Sequence, residues 1–468
     1  MNSSLHNAYW RLLALLLVAG CGQNSAAVPP VTSTGGTSSL AREIPVTLNL
    51  GASSRLSQKI QHVVIILQEN RTTNNLFNGF PGANTVKSGK NSRGHLVPLQ
   101  PQSLTAPYDI SHKHDSFLTE YDSGRMDGFN LVKSGCDKKR HKRCPPRNVR
   151  AYGYVPEQEV KPYFTMAKRY VLASNMFQTN EGPSFPAHQY ILSGTSTISD
   201  GNPLRAAENA WARRSRWAGG CDSPKHAQVV LIDTLGNENQ SAYPCFDRNS
   251  IPELMEGKSL SWSYYQDRVG PGIWNGPDAI LPLYKSREFS KSVVAPPSKV
   301  LTDISGGNLA SVIWITPTPR ESDHARVTDG SGPSWVAAVV NAIGKSKYWN
   351  NTAIFITWDD WGGWYDPVPP PQYNSYELGF RVPLIVISAY AKTNYISTNQ
   401  HEFASILKFT EETFGLPSLG TTDTRADDLS DCFDFTKGPR KFQKIPAPLG
   451  ADYFLRQATS DQLPDDDF

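Results

Sequence analysis

The chain has 468 residues, of which 39% are hydrophobic and 19% are charged. This is the composition of a globular protein, and the chain is long enough to bury a sizeable core. The formal net charge is only +3, so nothing in the charge balance favours a nucleic-acid-binding protein, and we expect no nucleic-acid partner.

The first residues resemble a bacterial export signal. Arg11 precedes the apolar run Leu12–Val18, and Cys21 follows soon after. The run is too short to span a bilayer, and a basic residue before such a run is typical of a signal peptide. The Val-Ala-Gly-Cys ending is similar to a lipoprotein cleavage site and predicts a lipidated Cys21; cleavage near Ala26 without a lipid is the alternative. We therefore predict a periplasmic or cell-surface lipoprotein, or otherwise a secreted protein.

We expect three segments along the chain. Residues 1–21 are predicted to be the signal peptide. Residues 22–44 are rich in Gly, Ser and Thr and contain proline, which suits a flexible linker. Residues 45–468 show no internal repeat and no second composition, so we expect a single large domain.

Five cysteines remain after Cys21. An exported chain can oxidise them, so disulfide bonds are expected. None has the spacing of a zinc-binding motif, and sequence alone leaves the connectivity open. Two pairs are close in sequence and one cysteine is left over: Cys136 with Cys144, Cys221 with Cys245, and Cys432.

Short apolar runs alternate with longer helical or irregular stretches. This alternation predicts an α/β domain with a largely parallel central sheet flanked by helices, interrupted by long irregular insertions. The predicted strands are His62–Leu67, Gln228–Ile232, Leu260–Tyr265, Ala310–Ile315, Thr352–Trp358 and Pro383–Ser388, and two predicted helices are Ser334–Ile343 and Glu402–Phe414.

Two of these strands end at oxygen-bearing side chains. Glu69 and Asn70 follow the first strand, and Asp359 and Asp360 follow the strand at Thr352–Trp358. Ligands in open α/β sheets bind at the carboxyl ends of the strands, and oxygen donors suit a hard divalent cation. The alternatives are a helix cap after the first strand and an ordinary solvated turn after the second.

The segment Glu181-Gly182-Pro183-Ser184 predicts a turn followed by a helix. Ser184 is a residue type that favours the N-cap, and the following residues 187–193 look helical. A hydroxyl at a helix N-terminus faces unpaired N–H groups that can bind a phosphate or sulfate. Beside a metal, that hydroxyl becomes a nucleophile; a plain helix cap is the alternative.

Histidines are the third component. His112 and His114 lie in one short segment rich in acids, and His324 follows the strand at Ala310–Ile315. Phosphoryl transfer needs a positively charged donor or a general acid near the phosphate, and His112 and His324 are the candidates. His114 stays open, because it can instead stabilise its own loop.

Taken in order, these motifs resemble the bacterial phosphoesterase family of phospholipase C and the related acid phosphatases, in the alkaline-phosphatase-like superfamily. The resemblance covers nearly all of residues 60–436. It rests on Glu69-Asn70-Arg71, His112 with the segment at 124–129, Glu181-Gly182-Pro183-Ser184, Ser322-Asp323-His324, the segment Thr357–Asp366, Gly379–Pro383, and Asp423–Phe435.

The resemblance implies an alkaline-phosphatase-like α/β fold and a hydroxyl nucleophile that contacts a divalent metal of unknown identity. It implies Ser184 as the nucleophile and His112 and His324 as histidines around the phosphate. The implied metal ligands are Glu69, Asn70, Asp359, Asp360 and Ser184.

One departure from the family pattern concerns the residues after the nucleophile. The family often has Pro-Asn-Arg there, whereas this chain has Pro186-Ala187-His188. A guanidinium is therefore missing. The aromatic residues Trp361–Tyr365 are predicted either to line the mouth of the site or simply to pack.

The sequence predicts a metal-dependent hydrolase of phosphoric esters, most specifically one that cleaves phosphodiesters as phospholipase C does, through a phosphoserine intermediate. The expected partner is a phospholipid or a small phosphoester, with membrane association through the predicted lipid anchor. The alternatives are an acid phosphatase acting on soluble monoesters, a sulfatase, and a non-catalytic surface lipoprotein that binds a ligand.

Overall fold

The computed structural model describes residues 59–137, 144–458 and 462–463. The predicted signal peptide, the lipidated Cys21 and the linker lie outside the described residues. The proposed division of the chain into signal, linker and domain therefore stays a prediction.

An eight-stranded sheet forms the centre of the described chain. Its spatial order is β4-β3-β5-β1-β6-β7-β2-β8, and only β7 runs opposite to the rest. In chain order the strands are β1 His62–Gln68, β2 Val171–Ala173, β3 Trp262–Tyr265, β4 Val293–Val294, β5 Val312–Ile315, β6 Thr352–Trp358, β7 Leu384–Ser388 and β8 Tyr395–Ser397.

Helices flank this sheet. Helices α2, α4 and α5 form one packed group, while α3 packs against α6. The longer helices are α1 His114–Tyr121, α2 Lys161–Arg169, α3 Ser184–Ser193, α4 Lys299–Gly306, α5 Gly332–Lys345 and α6 Phe403–Phe414; the shorter ones are Thr73–Leu76, Ile251–Glu256, Leu281–Lys285, Phe289–Ser292 and Ala451–Phe454.

Small sheets lie in the insertions between these elements. One has four strands, Arg205–Ala206, Trp211–Ala212, Ala227–Ile232 and Gln240–Ala242, all antiparallel. Four two-stranded pairs join Ser88–Lys90 to Leu96–Pro98, Gln100–Pro101 to Gly153–Tyr154, Tyr108–Ile110 to Ser134–Cys136, and Met176–Phe177 to His401–Glu402.

This architecture confirms the predicted α/β class with a largely parallel sheet. The strand Thr352–Trp358 has the predicted bounds, and its seven residues are all buried. The expectation that the strand at Gln228–Ile232 belongs to the same alternating pattern is wrong. That strand alternates between buried and more exposed residues, which suits the small antiparallel sheet where it lies.

The cysteines pair as their sequence proximity suggested. Disulfide bonds join Cys136 to Cys144 and Cys221 to Cys245. Cys432 is a buried free thiol.

The register between β1 and β6 positions the candidate site. His62 lies opposite Thr352, and the pairing continues in parallel to Gln68 and Trp358, where both strands end. The next residues, Glu69 and Asp359, therefore leave the sheet side by side at its carboxyl edge.

Within the described ranges, no helix combines the length and hydrophobicity that crossing a bilayer requires.

Candidate active site

The loops that follow β1 and β6 are joined directly. The backbone N–H of Asn70 donates to Asp359 Oδ1 at 3.1 Å, and the Asn70 amide donates to both carboxylate oxygens of Asp360 at 2.9 and 3.0 Å. Asn70 has a φ of 59°, a left-handed conformation that Asn tolerates better than most residues. The helix cap that sequence left open for Glu69 and Asn70 is absent here, because Thr72 caps the following helix.

The Gly-Gly turn after Asp360 permits this close approach. Gly362 has a φ of +61°, and a Cβ there would lie 2.4 Å from the carbonyl oxygen of Asn70. Gly363 has a φ of +71°, and its Cβ would lie 2.4 Å from Ile110. The Gly362 N–H also donates to Asp360 Oδ1 at 2.8 Å, which fixes the orientation of that carboxylate.

Ser184 lies against this pair of loops. Its hydroxyl donates to Asp360 Oδ2 at 3.2 Å, and its side chain is fully buried. The prediction that Ser184 is an N-cap is wrong: Pro183 is the N-cap and Ser184 is the first residue of α3. The Ser184 hydroxyl makes no capping bond and donates to Asp360 instead. It lies at the N-terminus of α3, which is the positive end of the helix dipole.

His188 joins the same cluster, and sequence analysis missed it. Its Nε2 lies 3.2 Å from Glu69 Oε1 and 3.8 Å from Asp359 Oδ2, and all three residues are fully buried. Burial lowers the pKa of His188 to about 4, against the opposing charge of Asp359. The imidazole is therefore neutral near pH 7. Its position four residues after Ser184, on the same face of a helix, was the available signal.

The donor set fits a divalent cation. One possible ligand atom from each of Glu69, His188 and Asp359 lies within 4.8 Å of the others. Asn70 Oδ1 and Asp359 Oδ2 are buried and accept no hydrogen bond from the described residues. Buried acceptors and carboxylates without donors are costly, and a bound cation removes that cost.

His112 and His324 face each other beside these loops, with ring centroids 5.8 Å apart. His112 Nδ1 lies 2.8 Å from the carbonyl oxygen of Ile110, and His324 Nδ1 lies 2.7 Å from that of Ala325. A carbonyl only accepts, so each Nδ1 carries the proton, and Nε2 is the acceptor nitrogen of each neutral ring. His112 Nε2 accepts from the Asn70 amide at 3.1 Å.

Arg71 and Asp323 support this arrangement. The Arg71 guanidinium donates to the carbonyl oxygen of Asp323 at 2.9 Å and stacks on the Trp364 ring. The Asp323 carboxylate accepts from Tyr163 and from Trp358 at the end of β6. Arg71 therefore ties the loop after β1 to the loop that presents His324.

His114 stabilises the loop before Ser184. Its ring lies 3.4 Å from Glu181 and 2.6 Å from Glu238. Burial lowers the pKa of His114, but the two carboxylates outweigh it and raise the pKa to about 9. The charged imidazolium joins Glu181, three residues before Ser184, to the segment that contains Glu238.

The aromatic residues Trp361–Tyr365 pack rather than line a mouth. Trp361 and Trp364 have no exposed surface, and Tyr365 is 5% exposed. The Trp361 indole donates to Glu120, and its ring contacts His112 and Phe380. The Trp361 ring therefore holds the His112 ring in place.

A cavity of about 530 Å³ lies next to α3. Asn209 lies in its wall and accepts from the backbone N–H of Phe185, the residue after Ser184. Lys113, which follows His112, is also in the wall. The remaining wall includes two indoles, three carboxylates and a guanidinium: Trp211, Trp217, Asp115, Glu208, Glu238 and Arg216.

The profile of the Phosphoesterase family matches residues 60–417. That is most of the chain, which therefore belongs to the phosphoesterase family, as its motifs indicated.

The names of individual relatives are more specific than the name of the family. The chain is 23% identical to a non-hemolytic phospholipase C of Pseudomonas aeruginosa over 90% of its own length and 64% of that protein. It is also 23% identical to phospholipase C A of Mycobacterium tuberculosis, over 81% of this chain and 78% of the relative. The chain thus spans less than two thirds of the Pseudomonas protein.

Among solved structures, a protein of the alkaline phosphatase superfamily from Vibrio parahaemolyticus is similar over 78% of this chain and 70% of its own, with 9% identity and a TM-score of 0.36. The α/β class rests on the central sheet itself.

Proposed function

We propose that this domain hydrolyses phosphoric esters, and phosphodiesters in particular, as phospholipase C does, with Ser184 as the nucleophile. The observation that supports this most is the hydrogen bond from the Ser184 hydroxyl to Asp360 in a buried cluster of carboxylates. The names of the relatives support the substrate class.

Glu69, Asn70, Asp359, Asp360 and Ser184 would hold a divalent metal ion, and we add His188 to this set because its neutral imidazole contacts Glu69. Such an ion supplies positive charge that lowers the pKa of a nearby hydroxyl and stabilises charge on a phosphoryl oxygen.

The residues of the chain then perform distinct tasks. Asp360 orients the Ser184 oxygen through their hydrogen bond. The positive end of the α3 helix dipole faces the phosphoryl group that Ser184 attacks. Attack of the Ser184 oxygen on phosphorus forms a phosphoserine and breaks the bond to the leaving alcohol. The proton that Ser184 gives up is taken by the unprotonated Nε2 of His112 or His324, which passes it to the leaving alcohol. Water then hydrolyses the phosphoserine and restores Ser184.

The cavity beside α3 favours a diester over a small monoester. A monoester needs room only for phosphate and one alcohol, whereas a diester retains a second substituent during the first step. The wall at Trp211, Trp217 and Asn209 offers that substituent apolar area and polar contacts close to the nucleophile.

The alternative functions predict different activities. An acid phosphatase turns over monoesters faster than diesters, a sulfatase turns over aryl sulfates, and a non-catalytic lipoprotein turns over none of them. The lipid anchor at Cys21, and with it membrane association, stays a proposal that acyl-chain labelling of the wild type and Cys21→Ala would test.

Hydrolysis of p-nitrophenyl phosphocholine, p-nitrophenyl phosphate and p-nitrophenyl sulfate tests the proposal. We expect diester turnover to be highest in the wild type and to fall about 10³-fold or more in Ser184→Ala, since the nucleophile is lost. Ser193→Ala, a buried serine at the other end of α3, is the matched control. Full activity in Ser184→Ala contradicts the mechanism.

A further inference from the structure

A second cluster of metal-binding residue types lies away from Ser184, at the edge of the sheet beside β8. One ligand atom each from His401, Asp431 and Cys432 lies within 4.8 Å of the others. Asp431 Oδ1 is 3.5 Å from Cys432 Sγ and 3.9 Å from His401 Nε2. In a tetrahedral zinc site, ligand atoms are about 3.3–3.7 Å apart.

The surroundings of His401 are those of a metal ligand. Its Nδ1 lies 3.0 Å from a carboxylate oxygen of Asp427, and its Nε2 is the nitrogen on the side of Asp431. Histidines that bind metals commonly direct their second nitrogen at a carboxylate, which holds the ring and its proton in place. Asp427 is suited to that role.

The donor types favour zinc over a hard cation. A thiolate with an imidazole selects soft or borderline metals, whereas Mg²⁺ and Ca²⁺ prefer oxygen. Cys432 is available because the other four described cysteines form disulfides. The site is also reachable: His401 and Cys432 are buried, but the side chains of Asp431 and Asp427 are 19% and 29% exposed.

A different interpretation of the same atoms is a Ser-His-Asp triad. Ser397 Oγ lies 2.8 Å from His401 Nε2, and Asp427 contacts the other nitrogen. Ser397 and His401 have no exposed surface, so an ester cannot reach the hydroxyl. Ser397 also donates to Asp431 Oδ2 at 2.6 Å, a bond that would hold the Asp431 carboxylate in position for a cation.

We propose that His401, Asp431 and Cys432 bind a zinc-type divalent cation at a structural site separate from the catalytic cluster. The ion would join β8 and the His401 segment to the 3-10 turn Ser430–Cys432. That turn follows Arg425, which binds Glu402 and Glu377. The site therefore stabilises the C-terminal part of the domain without contacting Ser184.

Cobalt absorption tests this directly. A cobalt–thiolate bond gives a near-ultraviolet charge-transfer band, and the carboxylate cluster at Ser184 contains no sulfur. In the wild-type protein equilibrated with CoCl₂ we expect this band. We expect it to disappear in Cys432→Ser and to persist in Ser430→Ala, an exposed residue of the same turn, and in Asp360→Asn.

Thermal unfolding with zinc chloride gives a second readout. Zinc is expected to raise the unfolding midpoint of Asp360→Asn, and to have no such effect once Cys432→Ser or His401→Gln is added. A folded, cobalt-treated wild type without the band overturns the proposal, as does a band that survives in Cys432→Ser. Because the absence of the band in the wild type overturns the proposal by itself, poor folding of a variant leaves the test intact.

Discussion

At the scale of single residues, the site depends on polar groups that are buried without ordinary partners. Asn70 Oδ1 and Asp359 Oδ2 accept no hydrogen bond from the described residues, although neither is exposed. Folding desolvates these atoms, so their burial is favourable only with a compensating charge. This is the physical reason to assign them to a cation rather than to a turn.

His188 provides a residue-scale prediction. Its imidazole is neutral at pH 7 and contacts Glu69 and lies near Asp359. His188→Ala should weaken binding of the proposed catalytic metal at least about tenfold, because a nitrogen donor is lost from the cluster. Competition with a fluorescent chelator measures that affinity.

The control for this variant is His95→Ala, since His95 is exposed. Unchanged metal affinity in His188→Ala would show that this histidine only packs against Glu69.

At the scale of elements, the Gly-Gly turn after β6 has no room for a larger side chain. Gly362→Ala places a methyl 2.4 Å from the Asn70 carbonyl oxygen at a φ of +61°. Strain of about 1–3 kcal/mol should displace Asp360 from Ser184. We expect turnover to fall about 10²-fold, measured as kcat, with the fold retained by circular dichroism.

Gly438→Ala is the matched substitution, because a Cβ there has no neighbour within 4 Å. If Gly362→Ala kept wild-type turnover, the position of Asp360 would not depend on this turn.

Helix α6 gives a pH-dependent prediction. Burial, and then the charge of Asp423, raises the pKa of Glu411 from 4.5 to about 8. The folded state therefore keeps a proton that the unfolded chain loses, so stability falls as pH rises from about 4.5 to about 8. Glu411→Gln removes this decline. Urea midpoints at pH 5 and pH 8 should show the variant gaining stability relative to wild type at pH 8.

For comparison, Glu157→Gln alters a half-exposed side chain and should follow the wild-type pH dependence. Parallel curves for wild type and Glu411→Gln would place the pKa of Glu411 near its usual value.

At the scale of the whole molecule, the proposed catalytic cluster joins segments that are far apart in sequence: the loops after β1 and β6, and the start of α3. Removing the metal with a chelator should therefore lower the unfolding midpoint as well as abolish turnover. A ligand at 100 times its Kd stabilises the folded state by about 2.7 kcal/mol. Differential scanning calorimetry before and after chelation measures the loss.

Adding back single divalent metals should restore both the midpoint and the turnover, and elemental analysis of the purified protein identifies the native ion. Turnover that survives exhaustive chelation would contradict a metal-dependent mechanism.

The sequence by itself determined the α/β class, the central strands and the residues that bear oxygen, hydroxyl and imidazole groups. Those strands are continuous apolar runs, which the local pattern of residues is enough to identify. The sequence left the disulfide connectivity open, and the structure joins the cysteines that are close in the chain. The two- and three-residue strands β2, β4 and β8 were missed, because so few residues show no periodicity.

Only the tertiary structure decided which of these groups meet. His188 enters the cluster because α3 directs it at Glu69, and His401 meets Cys432 although 30 residues separate them and no motif spacing links them. Trp361 was assigned to packing because Phe380 and His112 close around it. Contacts between distant segments depend on strand register and helix packing, which no local pattern of residues specifies.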